Sequence, residues 1–596
     1  MDAYELRSAI DLVKQGRASR RDFVRRLVGI GLSAPMATQL LALGGVAMAQ
    51  PAPAYKPTKA GGGGTLKLLW WQGPTLLNPH FAVGTKDQDG SRLFYEPLAA
   101  WDSKGELRPI LAAELPSIDN GGLAKDGRSV TWKLKQGVKW HDGQPFTADD
   151  VVFNWAYARD PATAAVTVGS YNTVTAEKID DFTVRVSSEV PLVFWADAFV
   201  STNGMIIPKH LFEPYSGAKS REAPANLQPV GTGPYLFKEF RPGDLVAGVI
   251  NPHYHQPNRP YFDAVEMKGG GDAASAARAV LQTGEYHLAW NLQVEDDVLT
   301  RLEAAGKGVV RVTEGGQLEM IQLNSADPSK EVDGERSSVK TTHPSLSDPA
   351  VRKALSLLVD RESVHKYIYG RAGAVTPNVV INPEQFRSPN TRFEFSIEKA
   401  TAALDAAGWK PGPDGVRAKN GVQLKYLFQT STNAPRQKTQ QIVKQALRKA
   451  GIEVELKSVI SSVFFSSDVA NPDTYPHFYA DLQMYTTGPT RPDPQLWMQL
   501  FLSTEVAQKA NKWQGRNICR WRNAEFDSIY HQAETEIDPI KRAALLIKLN
   551  DLVIENVVVI PVVTRPNVAA LAKSLQAEMS GFDSYIWDLA NFYMET

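Results

Sequence analysis

The stretch Ser129–Trp155, S-V-T-W-K-L-K-Q-G-V-K-W-H-D-G-Q-P-F-T-A-D-D-V-V-F-N-W, commits the chain to a strand, a turn and a helix in quick succession. Val130, Trp132 and Leu134 alternate with Thr131, Lys133 and Lys135, the period of a strand with one buried face. Gly137 offers a bend before Val138–Trp140, and Asp142-Gly143 tolerates positive φ at a tight turn. Thr147 then opens a helix as N-cap, Asp150 completes a capping box, and Asp149 adds negative charge to the first turn. The helix is expected to bury Val151, Val152 and Trp155. His141 has no second histidine or cysteine at ligand spacing, so a structural role is expected of it.

A chain of 596 residues exceeds what one hydrophobic core supports, so two or three domains are expected. Lys plus Arg equals Asp plus Glu at 65 each, which leaves no global field to attract nucleic acid or an anionic membrane. Cys519 is the only cysteine, which excludes intramolecular disulfides and cysteine-based metal clusters.

Residues 19–26 read S-R-R-D-F-V-R-R, ahead of a weakly apolar run from Leu27 to Met48 and A-M-A-Q at 47–50. Arg20 and Arg21, that run and the small-residue site together read as a twin-arginine export signal over 1–49, cleaved after Ala49. Gly29, Gly31, Ser33 and Pro35 make the run too polar for a membrane anchor, and no cysteine stands near the cleavage site to take a lipid. Cleavage removes seven basic and four acidic residues, leaving 58 against 61. A soluble periplasmic protein is expected. Residues 50–64, rich in Pro and Gly, are expected to form a flexible leader.

Thr65–Trp71 reads as a buried strand. P-V-G-T-G-P-Y at 229–235 combines glycines that allow unusual backbone with a proline that fixes the exit. It lacks the Lys-Ser/Thr ending of a phosphate-binding loop. His253 and His255 in N-P-H-Y-H would share one face of a strand, but no third metal ligand accompanies them. Residues 272–290 read as a helix closed by Gly284 and then a strand, and 319–324 as a strand at a hinge. Asp348 and Pro349 start a helix burying Val351, Ala354, Leu355, Leu358 and Val359; Ser396 caps another; Thr439–Ala450 makes a third, followed by an alternating strand. Leu552–Val563 is expected to be a long apolar strand. Helix-to-strand repetition of this kind indicates an α/β fold.

The order strand, G-V-K-W-H-D-G-x-P-F-T-A-x-D-V, helix resembles the most recognisable motif of the family 5 solute-binding proteins, the peptide, dipeptide and nickel receptors of ABC importers. The segments L-F-Y-E-P-L at 93–98, P-V-G-T-G-P-Y, D-P-A-V-R-K-A-L-S-L-L-V-D-R-E at 348–362 and the helix ending in Gly408-Trp409 resemble further family motifs in the family order. The resemblance implies a periodic α/β periplasmic binding protein fold, class II-like and of cluster C, with two hinged lobes and an extra inserted domain. Lobe I would combine 65–105, 229–322 and 560–596, the inserted lobe II would span 106–228, and lobe III 323–559. A monomer that hands its solute to ABC permease subunits, with no catalysis, metal or cofactor, is the expectation.

In peptide-binding members an aspartate of a W-x-x-D-x-x-D-P segment pairs with the peptide ammonium. Here the comparable stretch, 481–494, has Thr487 and Thr490 in that region and no carboxylate there, while Arg491 offers a forked cation suited to a carboxylate or phosphate. Trp70, Trp71, Trp290 and Tyr485 stand at strand ends where lobes would meet, and Gln72, Asn291, Asn324, Thr486 and Thr487 complete the expected ligand-binding set. The solute would be an oligopeptide, an opine-like amino-acid conjugate or a small oligosaccharide. An exported hydrolase is the alternative of another class, although H-E-x-x-H, G-x-S-x-G and P-loop motifs are missing from the sequence. A sensory role would use the same closed state.

Overall fold

The computed structural model describes residues 55–595 except 83, 466–469, 490, 512 and 514, together with Leu12, Val13 and Phe23. Apart from those three residues, the expected export signal, with Arg20, Arg21 and its cleavage site, lies outside the described residues. Two large sheets and one small one organise the α/β chain.

Thr65–Trp70 lies in the middle of a seven-stranded sheet, parallel to both neighbours, Leu288–Ala289 and Ala264–Gly269. Its sequence T-L-K-L-L-W is apolar on both faces because both faces are covered: Leu66, Leu68 and Trp70 enter one core cluster and Leu69 another. Gly308–Thr313 and Asn567–Ala572 extend the sheet on one side, and Leu245–Ile250 and Tyr235–Arg241 on the other.

The five-stranded sheet has the order Glu453–Val459, Lys425–Ser431, Leu482–Thr487, Leu318–Leu323, Val559–Thr564. Helices Pro349–Leu357, Ile397–Ala406 and Ala434–Lys449 cover one face and Pro539–Glu555 the other. Asp348 and Ser396 cap their helices as their spacing predicts, accepting from Ala350 N and Lys399 N. The third helix begins at Ala434, five residues before the expected Thr439, because Asn433 caps it and Pro435 stands in its first turn. The apolar run from Leu552 is divided: residues 552–555 end the helix capped by Asp538, and only Val559–Thr564 form strand. The Asp538-Pro539 start and tertiary packing outweigh the β-propensity of Val553 and Ile554.

The small sheet, Ser129–Lys133, Thr183–Ser187 and Thr175–Asp180, packs on helix Ala148–Arg159. Thr147 and Asp150 form the capping box. His141 joins this unit to the 229–235 loop: its Nδ1 accepts from Gly231 N at 3.0 Å and its Nε2 donates to Gly233 O at 3.0 Å. Gly231 is obligatory there, since a Cβ would stand 1.8 Å from Phe94 O.

The chain crosses between the two large sheets at 314–317 and 565–566, so strand Leu318–Leu323 belongs wholly to the five-stranded sheet. Backbones approach closely at the first crossing: a Cβ on Gly488 would lie 2.3 Å from Gly316 O, and one on Gly581 would lie 1.9 Å from Glu314 O. The glycine run expected to be a flexible leader is pinned instead. Gly62 N and Gly64 N donate to the Asp263 carboxylate at 2.8 and 2.9 Å, and Gly61 N and Gly63 N to backbone carbonyls.

His253 and His255 lie in a turn rather than a strand, and His255 Nε2 meets buried Glu96 at 2.9 Å. Tyr254 and Thr232 also donate to Glu96, and the neighbouring His255 and Arg92 charges and these hydrogen bonds hold its carboxyl at about 2 against the upward push of burial. Among the described residues no group of three His, Cys, Asp or Glu side chains is placed to hold a metal ion.

Candidate functional site

The parallel register Leu68↔Leu288 and Leu69↔Ala289 brings the ends of two strands of the large sheet together, and with them Trp70, Trp71 and Trp290. Trp70 is fully buried and stacks on Trp290 at 6.0 Å, its Nε1 donating to Asp89 at 3.0 Å. Burial raises the Asp89 carboxyl to about 7 against the pull of hydrogen bonds from Ser584 and Trp70. Trp71, half-buried, donates to Asn291 O at 3.1 Å, and Asn291 takes a positive φ of 52°. Gln72 is exposed beside them. Trp290 packs edge-on against Tyr585 at 6.2 Å, and its buried Nε1 has no hydrogen-bond partner.

Facing them, the antiparallel register Glu319↔Thr486 and Leu318↔Thr487 sets a polar cluster at the cleft end of the five-stranded sheet. Arg436, in the first turn of helix Ala434–Lys449, donates to Glu319 Oε1 at 2.9 Å, Ser431 Oγ at 2.7 Å and Thr486 Oγ1 at 2.8 Å. Thr486 also donates to Glu319. Glu319 is buried, and its Oε2 accepts no hydrogen bond. Thr487 is half-buried beside Thr486.

Arg565 stands on the second crossing between the sheets. Its amide donates to Gln317 O at 2.7 Å, and its guanidinium lies over the Tyr369 ring at 4.9 Å without an ion pair or side-chain hydrogen bond among the described residues. The charge of Arg565 acts on both Tyr369 and Tyr585, and Tyr369 also feels Glu319 and Arg436. Arg565 therefore lies near both groups of side chains, Trp290 with Tyr585 on the seven-stranded sheet and Tyr369 near Glu319 on the five-stranded one, and together they make a candidate cleft.

Side-chain contacts close the rim. Asn433 donates to Gln293 at 2.9 Å, Lys438 pairs with Glu295 at 2.8 Å, and Arg371 pairs with Asp296 and Glu303 at 2.7 Å. Closure of this kind excludes water and strengthens the remaining polar contacts.

Three expected site residues do not join the cleft. Arg491 pairs with Asp197 of the inserted segment and donates to Ser170 Oγ at 3.0 Å; with Nη1 and Nη2 engaged it is a tie between parts of the chain, and burial lowers its pKa to about 10. Asn324 sits at the opposite end of its strand, fully buried, its amide donating to Ser337, Phe478 and Ala480. Tyr485 points to the other face of the sheet from Thr486 and packs among Phe464, Phe465 and Tyr475. Sequence reasoning missed Glu319, Tyr369, Arg436, Arg565 and Tyr585. Arg565 was within reach of the rule that selected the tryptophans, since it directly follows an apolar strand and precedes Pro566.

A cavity of about 480 Å³ also lies between the small sheet and the 492–542 region, lined by Trp101, Phe194, Trp195 and Phe386. Its buried charges, Asp493 and Arg542, are paired with each other, so its wall is chiefly apolar.

A family model, bacterial extracellular solute-binding proteins, family 5 Middle, matches residues 106–509, more than half of the chain. The oligopeptide-binding protein AppA of Bacillus subtilis is 28% identical over 475 residues, covering 78% of this chain and 79% of AppA. Among solved structures, NikZ from Campylobacter jejuni in complex with Ni(L-His) superposes with a TM-score of 0.72 at 20% identity, over 89% of this chain and 99% of that one. AgaA from A. tumefaciens R10 in complex with agropinic acid superposes with a TM-score of 0.69 at 18% identity, over 89% and 99%. The fold is that of these binding proteins.

Proposed function

Because the chain belongs to the bacterial extracellular solute-binding proteins of family 5, we propose that it captures a carboxylate-bearing, amino-acid-derived solute between the two large sheets and delivers it to an ABC permease. The observation that carries this reading is Arg565: a half-buried guanidinium at the hinge, stacked on Tyr369 and bound to no carboxylate. A guanidinium in that setting is a ready partner for a ligand carboxylate, worth about 1.5–3 kcal/mol as a charge-assisted pair. Glu319 Oε2 and Trp290 Nε1 add an unspent acceptor and an unspent donor, suited to an ammonium or amide and to a carbonyl.

The solute is an oligopeptide or an opine-like conjugate. The absence of a carboxylate from the Thr487 to Thr490 region favours a conjugate over a peptide held by its free ammonium. The ligands of similar proteins, oligopeptides for AppA and agropinic acid for AgaA, fall in the same chemical range. Trp70 and Trp290 spend ring faces on each other, which removes support from an oligosaccharide stacked between them. The three lobes would close by rotation about 314–317 and 565–566, in a monomer exported to the periplasm by the Arg20-Arg21 signal. No bond is made or broken in this scheme.

The test is a calorimetric and thermal-shift screen of the purified chain against tripeptides, their C-terminal amides, N-carboxyalkyl amino acids and short oligosaccharides. A ligand at a hundred times its Kd adds about 2.7 kcal/mol of stability. Binding that needs the carboxylate and is lost in Arg565→Gln supports the reading; equal binding of amides, or of neutral sugars, overturns it.

A further inference from the structure

A second polar cavity, of about 300 Å³, opens at the Leu323 end of strand Leu318–Leu323, away from the cleft. Four residues of strand separate it from Glu319, roughly 13 Å at the usual rise per residue. Arg352, Arg520 and Arg522 line it together with Ser325, Thr341 and Trp521, and neither aspartate nor glutamate is among its lining residues.

Two of the three cations are oriented by carbonyls, and none forms an ion pair among the described residues. Arg520 is 4% exposed; its Nη1 and Nη2 donate to the carbonyls of Ile518 at 2.8 Å and His477 at 2.9 Å, and its buried Nε has no partner. Arg352 gives Nε to Asn556 O at 2.8 Å and Nη1 to Leu346 O at 2.8 Å, and its Nη2 makes no hydrogen bond. Arg522 is exposed and makes no ion pair. The acidic groups whose fields reach these arginines are engaged elsewhere: Glu335 accepts from Lys509 N at 2.6 Å, and Asp348 caps a helix while accepting from Trp409 at 3.0 Å and Lys419 at 3.2 Å. Carbonyl contacts fix the guanidinium planes, yet a buried cation without a counter-ion remains costly by several kcal/mol. Planar guanidinium forks held in one concave site match the oxygens of phosphates and carboxylates.

We propose that this cavity is a binding site for a small polyanion, a solute carrying phosphate or several carboxylates, separate from the interlobe cleft. Arg352 and Arg520 form its charged floor, Arg522 its exposed edge, and Thr341 and Ser325 add hydroxyls. The anion's oxygens take Arg352 Nη2 and the Arg522 guanidinium, while buried Arg520 adds its charge from beneath.

The purified full chain titrated with pyrophosphate and, separately, with citrate at about 150 mM NaCl tests the site, read by calorimetry and by Trp521 emission against a Trp521→Phe control. One saturable site is expected, with Arg522→Glu weakening binding at least about tenfold. Arg448→Glu, an exposed helix arginine with no ion pair, leaves binding within about twofold by the same argument. Arg565→Gln leaves it unchanged and so separates this site from the cleft. Equal losses in Arg522→Glu and Arg448→Glu would mean diffuse charge only, a loss in Arg565→Gln would place the probe in the cleft, and no saturation below about 10 mM, weaker than ordinary specific sites, would remove the site. Each of these three results overturns the proposal.

Discussion

The junction around His141 and the cleft around Arg565 are built from the same kinds of side chain and treat them in opposite ways. At the junction, His141 uses both ring nitrogens on the 229–235 loop, and Glu96 receives three side-chain donors. In the cleft, Glu319 keeps one oxygen free, Trp290 keeps its N–H free, and Arg565 faces an aromatic ring instead of a carboxylate. Buried polar groups that are fully paired hold a fold together, whereas unpaired ones are tolerated where a ligand completes them. The motif around His141 is fully paired and serves as scaffold, and the proposed recognition lies in residues outside it.

The largest expected effect is at the junction. Gly231→Ala drives a methyl into Phe94 O and should cost about 4 kcal/mol or block folding, measured by denaturant unfolding. His141→Ala strands Gly231 N–H and Gly233 C=O and should cost about 3 kcal/mol, with ligand affinity of the folded fraction unchanged. A loss of affinity in that variant would blur the division between scaffold and site.

Asp89, beneath Trp70, sharpens it from the cleft side. Its carboxyl is raised from 3.8 to about 7, so the folded protein keeps a proton that the unfolded chain releases above about pH 4. The stability it contributes is present below pH 4 and lost as pH rises through about 7. Asp89→Asn should abolish that limb of the stability profile, and the gap between variant and parent should change by roughly 2 kcal/mol or more across it. A pH-independent gap would mean that Asp89 stays ionised.

Arg565→Gln should leave the melting temperature of the free protein within about 2 °C while lowering solute affinity at least about tenfold, the reverse of the His141 pattern. The smallest effect is expected at the Arg491 tie: Arg491→Ala should lower affinity about fivefold, near 1 kcal/mol, by weakening the closed form without touching the solute.

Local chemistry carried much of the fold. The capping box at Thr147, the Asp348-Pro349 and Ser396 starts and the alternation of Val130, Trp132 and Leu134 are each decided within a few residues, and the structure repeats them. Elements decided at long range were less legible. Val553 and Ile554 look like strand and are helix, and the glycines at 61–64 look loose until Asp263, some 200 residues away, supplies their partner. The cleft was the hardest to read. Trp70 and Trp290 stand at strand ends that the structure brings together, but Arg491 and Arg565 are both arginines beside prolines; only their neighbours, Asp197 for one and Tyr369 for the other, distinguish them.

The crossing at 314–317 has a mechanical consequence. Gly316 lies against Gly488, and Gly581 against Glu314, at backbone distance, with the Pro489 ring on Gly316 and Asn382 bonded to Gly315 O, so any substitution here that adds a Cβ jams the proposed joint. The second crossing at 565–566 would act as a parallel pin in the proposed closure, since two chain connections side by side restrict the turn to the axis they share. In that scheme Arg565 sits on the pin, where the lever arm is shortest, and a solute held there would gain little torque while sensing each degree of closure.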